Sequence, residues 1–170
     1  MRRWGMAKIA VVSLGGAGTS IMREMLGIAS DFDAYNVNER RTLKNARYFG
    51  YEEMEALAEE LSGYDCIIFT AGLGSRSGDA LVDLYGMLDG VRRLCFLVTP
   101  FYFEIERLMR SRAQLGKIMT EDFEGAVLTL NSLLRDMEEA EPSKSKLEKL
   151  VRRFDREVAS LIVEMMQEVR

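Results

Sequence analysis

The chain has 170 residues, 48 % of them hydrophobic, which fits one domain with a sizeable buried core. Its 23 basic and 27 acidic residues leave a net charge of −4, which argues against nucleic acid as the main partner. There is no histidine, so Ser-His and Cys-His nucleophiles and the commonest metal ligand are excluded. No run approaches the ~18 apolar residues of a membrane span, and residues 1–5, MRRWG, have no apolar stretch behind them of the kind a secretory leader needs. The expectation is a cytoplasmic protein. Cys66 and Cys95 fall inside predicted buried strands at a spacing that matches no metal motif, so they read as reduced core cysteines and no metal site is expected.

Residues 8–14, KIAVVSL, form a nearly continuous apolar run, the pattern of a strand covered on both faces. A glycine loop follows at once: Gly15, Gly16, Ala17, Gly18, Thr19, Ser20. Thr19 or Ser20 can cap the next helix, whose apolar residues Ile21, Met22, Met25, Leu26 and Ala29 recur at helical spacing. Residues 34–37 are a shorter strand that brings Asn36 and Asn38 to a strand's C-terminal edge, where open parallel sheets bind ligands. Residues 44–50 read as irregular, and 51–61 as an acidic helix with Met54, Leu57, Ala58 and Leu61 as its core stripe.

Residues 66–71, CIIFTA, are the next buried strand. It runs into a second glycine loop, Gly72, Leu73, Gly74, Ser75, Arg76, Ser77, Gly78, and then a helix over 79–89. Strand, glycine loop and helix together aim backbone N–H groups and a helix N-terminus at an anion. Two such loops in one small domain suggest a single site that grips a polyphosphate from two sides. Residues 94–99 form a strand ended by Pro100, 104–117 a helix, and 125–130 a strand that ends at Asn131. Residues 141–145 are linker-like, and 146–170 form a long amphipathic helix. The alternation of strands and helices predicts a three-layer, doubly wound α/β domain with a mostly parallel, Rossmann-like sheet.

Neither loop matches a standard phosphate signature. Gly16-Ala-Gly18 begins a dinucleotide fingerprint, but Ile21 stands at its third glycine. A P-loop needs a lysine, and neither loop has one. Phosphate binding would therefore rest on backbone amides and helix dipoles.

Several blocks resemble the FtsZ/tubulin family, in family order. Residues 12–25, VSLGGAGTSIMREM, are similar to its first nucleotide loop, which reads GGGGGN. Residues 34–38, AYNVN, resemble A-x-N-T-D, and 69–78, FTAGLGSRSG, resemble the strand and G-G-G-T-G-T/S-G signature. Residues 98–109, VTPFYFEIERLM, resemble T-K-P-F-x-F-E, and 126–134, AVLTLNSLL, the strand that ends in I-P-N-D-x-L-L. The closing helix is similar to the family's central core helix.

The resemblance implies a guanine nucleotide, GTP or GDP. Gly15 to Ser20 would cradle its phosphates with Gly72 to Gly78 opposite, Asn36 and Asn38 nearby, and Glu104 and Asn131 toward the sugar or base. The alternative reading of Glu104 is a helix N-terminal acid, and that of Asn131 an N-cap. Asp79 reads either as a Mg²⁺ ligand or as a helix-start acid. Asp155 and Glu157 are the candidates for the family's base-reading acid.

There are departures. The signature loop is about two residues short, and Arg76 stands where a glycine is expected, a place that can require positive φ. The phosphate-sensing loop has shrunk to residues 46–50, ARYFG, and the chain stops where the family's acidic loop and second domain begin. The resemblance therefore implies weak or no autonomous GTPase activity, no polymerisation domain, and a homodimer or protein partner through 146–170. The other readings are a nucleotide-free interaction module of the same fold and, further off, a dinucleotide-dependent enzyme.

Overall fold

The computed structural model describes residues 6–134 and 144–169. Its centre is β1, Ile9–Leu14, in which all six residues are buried. β2 (Asp33–Val37) and β3 (Arg47–Phe49) extend the sheet on one side of it; β4 (Cys66–Gly72), β5 (Arg92–Thr99) and β6 (Glu124–Thr129) extend it on the other. The order is β3-β2-β1-β4-β5-β6, and every neighbouring pair is parallel. Parallel strands need crossovers, and helices on both faces provide them.

Alternation along the strands assigns the two faces. Ile9, Val11, Ile68, Leu94 and Phe96 pack beneath α1 (Gly15–Ile28) and α5 (Lys144–Val169). Val12, Leu14, Ile67, Phe69 and Leu97 pack beneath α2 (Met54–Leu61), α3 (Arg76–Met87) and α4 (Ile105–Ile118). The result is a single Rossmann-like α/β domain with an all-parallel sheet, as expected from the sequence.

Five details differ from the sequence reading. The stretch 44–50 holds the edge strand β3, and Tyr51–Glu53 form a 3₁₀ turn ahead of α2. α1 starts at Gly15, so Thr19 and Ser20 lie inside it rather than capping it. Their hydroxyls donate back to the carbonyls of Gly15 (2.5 Å) and Gly16 (3.1 Å). α3 likewise starts inside the second loop, at Arg76. The final helix begins at Lys144, so it takes in the end of the expected 141–145 linker; residues 141–143 lie outside the described residues.

Helix α5 spends much of its apolar surface within the domain. Val158, Ala159, Ile162 and Met166 are buried with α1 and the sheet, and Val163 and Met165 pack at the margin. Leu161 remains exposed. None of the described helices is long and apolar enough to cross a membrane.

Candidate functional site

The strand order reverses between β1 and β4, and the crevice at such a switch point is where doubly wound sheets hold ligands. Leu14 and Ala71 are register partners at the C-terminal ends of these two strands. From there β1 passes directly into α1 and β4 turns through three residues, Leu73, Gly74 and Ser75, into α3.

The two helix starts touch. Gly15 has φ +72°, and a Cβ placed on it would lie 2.6 Å from Ser77 Cβ and 2.7 Å from Ser77 Oγ. A Cβ on Gly72 would meet Ala17 Cβ at 2.9 Å. Gly18 rests on the Thr70 carbonyl so closely that a side chain there would collide with backbone. Gly16 differs from these: nothing lies within 4 Å of its added Cβ, so the space above the first turn of α1 is open. No side chain caps α1 or α3. The first-turn N–H groups, which have no acceptor inside a helix, thus collect at one point with two positive dipole ends. The sequence predicted Gly15, Gly16, Ala17, Gly18, Gly72 and Ser77 as one group, and the structure brings them together.

Asn36 lies beneath this cradle, 1 % exposed. Its amide donates to Thr19 Oγ1 (2.8 Å) and Ser13 Oγ (2.9 Å), and Ser13 Oγ donates to the Tyr35 carbonyl (3.2 Å). Asn36 therefore locks β1, β2 and α1 together from inside. Asn38 is nearer the surface, and its amide reaches Thr19 Oγ1 at 3.4 Å.

The second loop is held by a residue that sequence reasoning missed. Gln114 of α4 accepts a hydrogen bond from the Gly74 N–H (2.8 Å), and its amide donates to the Ser75 carbonyl (2.9 Å) and Asp79 Oδ1 (2.8 Å). Gly74 has φ +93° and is pressed against the Arg107 carbonyl. Ser77 Oγ donates to the Gly72 carbonyl at 3.0 Å and lies 3.0 Å from Ser75 Oγ. The left-handed conformation of this loop falls on Gly74, and no non-glycine residue among those described has positive φ, so Arg76 carries no such strain.

Asp79 is bound by Arg110 and Gln114. The Arg110 hydrogen bond, above all, holds its carboxyl below the usual range, against some desolvation. It is thus a helix-start acid with protein partners, and the described residues hold no group of three or more acidic or cysteine ligands for a metal.

Glu104 and Asn131 sit together at the ends of β5 and β6. The Glu104 carboxylate accepts from the Phe101 N–H (2.9 Å) and from Arg107 (2.7 Å). Asn131 Oδ1 accepts the Tyr102 N–H at 3.0 Å. Both pin the turn between β5 and α4.

Of the two candidate base-reading acids, Glu157 is exposed and paired with Arg153 at 3.1 Å. Asp155 is buried. It lines a cleft of about 640 Å³ between α1 and α5 with Ser20, Arg23, Glu24, Leu147, Val151 and Arg156. Burial, with a smaller push from Glu24, raises its pKa to about 6. Because Ser20 is shared, the cleft begins where the first loop ends.

The loop residue Arg76 lies over the ring of Tyr51, its Cζ 4.7 Å from the ring centroid. Tyr51 was not expected at the site. Its hydroxyl stands 3.6 Å from the Cβ position of Gly15. Burial, then Glu39, raises the Tyr51 hydroxyl pKa, and Arg76 opposes them.

With this geometry in view, solved structures can be compared. The C-terminally truncated TubZ of Clostridium botulinum phage c-st, a tubulin/FtsZ-like protein, superimposes with a TM-score of 0.68 at 18 % identity. The match covers 93 % of this chain and 60 % of that one. The two share a fold. This chain thus spans about 60 % of that TubZ chain's length. A short-chain dehydrogenase/reductase of Veillonella parvula in complex with NADP matches at TM-score 0.51 and 10 % identity, over 81 % of this chain and 89 % of that one. No protein-family model matches. At these identities the likeness extends to the Rossmann-like fold and no further.

Proposed function

We propose that the chain binds a guanine nucleotide at the C-terminal edge of its sheet and, alone, hydrolyses it slowly or not at all. The observation that carries this reading is the meeting of the α1 and α3 amino ends at the β1–β4 switch point, with open space over Gly16. Backbone N–H groups and two helix dipoles are the chemistry that holds phosphates without a lysine. Support for guanine comes from the motif blocks that resemble FtsZ and tubulin, and from Asp155 in the adjoining cleft. A carboxylate accepts both N–H donors on guanine's pairing edge, and adenine has no such pair.

Hydrolysis needs a water positioned for in-line attack and compensation of the developing charge. The acid nearest the second loop, Asp79, is committed to Arg110 and Gln114. Mg²⁺ would then be held mainly by nucleotide oxygens and water, as is usual for this ion. Residues Asn36, Gln114, Glu104 and Asn131 orient the loops in this reading. The cradle's contacts fall to Gly15, Gly16, Ala17, Gly18, Ser75, Arg76 and Ser77.

A dinucleotide is the second reading. Gly18 makes the close helix–strand approach that the third glycine of that fingerprint makes, and Glu39 follows the end of β2, where an acid binds ribose.

Calorimetry and thermal melts with GDP, GTP (each with Mg²⁺) and NADPH separate the two. Guanine nucleotides are expected to bind, with stabilisation of about 2.7 kcal/mol at 100 times Kd. No heat and no stabilisation from either would overturn the proposal, and binding of NADPH alone would establish the second reading.

A further inference from the structure

Arg76 is placed against the local electrostatics. It is the first residue of α3, at the positive end of the helix dipole, where acids are favoured and cations are not. The other arginines around the loop are neutralised: Arg110 by Asp79, and Arg107 by Glu104 at 2.7 Å. The Arg76 guanidinium makes no ion pair or hydrogen bond with the described residues. It leans on the Tyr51 ring 4.7 Å away, a weak and reversible hold at an exposed site. Positions that break a local rule without a compensating contact are expected at functional sites. An anion in the crevice would supply that compensation. It would stand between the two helix starts, and Tyr51, on which Arg76 rests, borders Gly15 at the same crevice. Arg76 is also the single cationic side chain in either glycine loop.

We propose that Arg76 is a specificity-determining residue that reads phosphate number: it leaves the face of Tyr51 and closes a two-pronged contact on the terminal phosphate of a bound nucleotide. This inference rests on the nucleotide reading above. The planar guanidinium can match two phosphate oxygens at once, which an ammonium cannot. Tyr51 acts as its resting place. The backbone cradle holds the inner phosphate, and Arg76 adds a contact only when an outer one is present. Affinity then rises with each phosphate more steeply than the backbone donors alone would make it.

The test is a calorimetric series of guanosine, GMP, GDP and GTP against wild type, Arg76→Ala and Arg76→Lys, at fixed Mg²⁺ and ionic strength. Arg76 is exposed, so both variants are expected to fold; the melting curve of each free protein checks this. In Arg76→Ala, GTP affinity is expected to fall about tenfold or more while guanosine, which has no phosphate, changes less than about twofold. Arg76→Lys recovers part of the GTP affinity, since it restores charge without the fork. A purely structural role would shift all four ligands alike, and that result overturns the inference. So does undiminished GTP binding by Arg76→Ala, with the nucleotide reading left intact. If wild type binds none of the four, the nucleotide reading falls and this inference falls with it.

Discussion

Gly16, Gly18 and Gly74 belong to the same two loops and should respond differently to a side chain. At Gly16 the added atoms enter open space in an ordinary helical conformation. Gly16→Val should therefore leave folding within about 1 kcal/mol of wild type, while placing a branched side chain where the ligand's phosphates belong. Gly18→Val should overpack the α1–β4 contact and cost about 2–3 kcal/mol, because the obstruction is the Thr70 carbonyl, which cannot rotate away. Gly74→Val meets both a positive φ and the Arg107 carbonyl, so its effect on binding cannot be separated from its effect on folding. Urea unfolding and GTP titration on the three variants check this. Loss of stability in Gly16→Val equal to that in Gly18→Val would mean that the crevice is not open.

At the scale of elements, the strands were the legible part. Runs such as CIIFTA are buried on both faces and carry a signal of their own. β3 escaped because it is three residues long, Arg-Tyr-Phe, with no apolar run and a place at the sheet's edge. The starts of α1 and α3 escaped for another reason: glycine costs a helix about 1 kcal/mol relative to alanine, so Gly15, Gly16 and Gly78 read as loop. Tertiary contact reverses that preference, since Gly15 and Gly18 are where another chain segment comes too close for a side chain. Gln114 left no local trace, because its partners are about forty residues away in sequence. The pairing of α5 with α1 carries a prediction of its own. Burial raises the Asp155 carboxyl pKa to about 6 from an ordinary 3.8, so the folded state binds the proton more tightly than the unfolded state. Stability from this group is full below about pH 4, declines as pH rises towards 6, and is absent above it. Asp155→Asn should therefore raise stability at pH 7.5 by about 2 kcal/mol, roughly 4–8 °C in Tm, with no gain at pH 4. A gain that is the same at both pH values would show that the effect is not titration.

For the whole molecule, both core layers are built on the same six strands, so neither should survive loss of the other. Ile162 tests this from the most distant element in sequence. It is fully buried between α5 and the sheet. Ile162→Ala should cost about 3 kcal/mol and lower Tm by roughly 6–12 °C, and near- and far-ultraviolet circular dichroism should still report one coincident transition. Two separated transitions would mean that α5 is an independently melting attachment.

The close approach of Gly18 to Thr70 also bears on the kinetics of recognition. Binding loops are commonly drawn from the least stable parts of a protein and become ordered around their ligand. Here the first turn of α1 rests directly on the central strand β4, and Asn36 bolts it to β1 and β2 from below. Amide protons of β1, β4 and the hydrogen-bonded turns of α1 should rank among the slowest to exchange with deuterated water before any ligand is added, and the unpaired first-turn amides of α1 should slow only when a ligand binds. The cradle is rigid in advance, so encounter should need little rearrangement of the backbone, and the Arg76 side chain is left as the moving part.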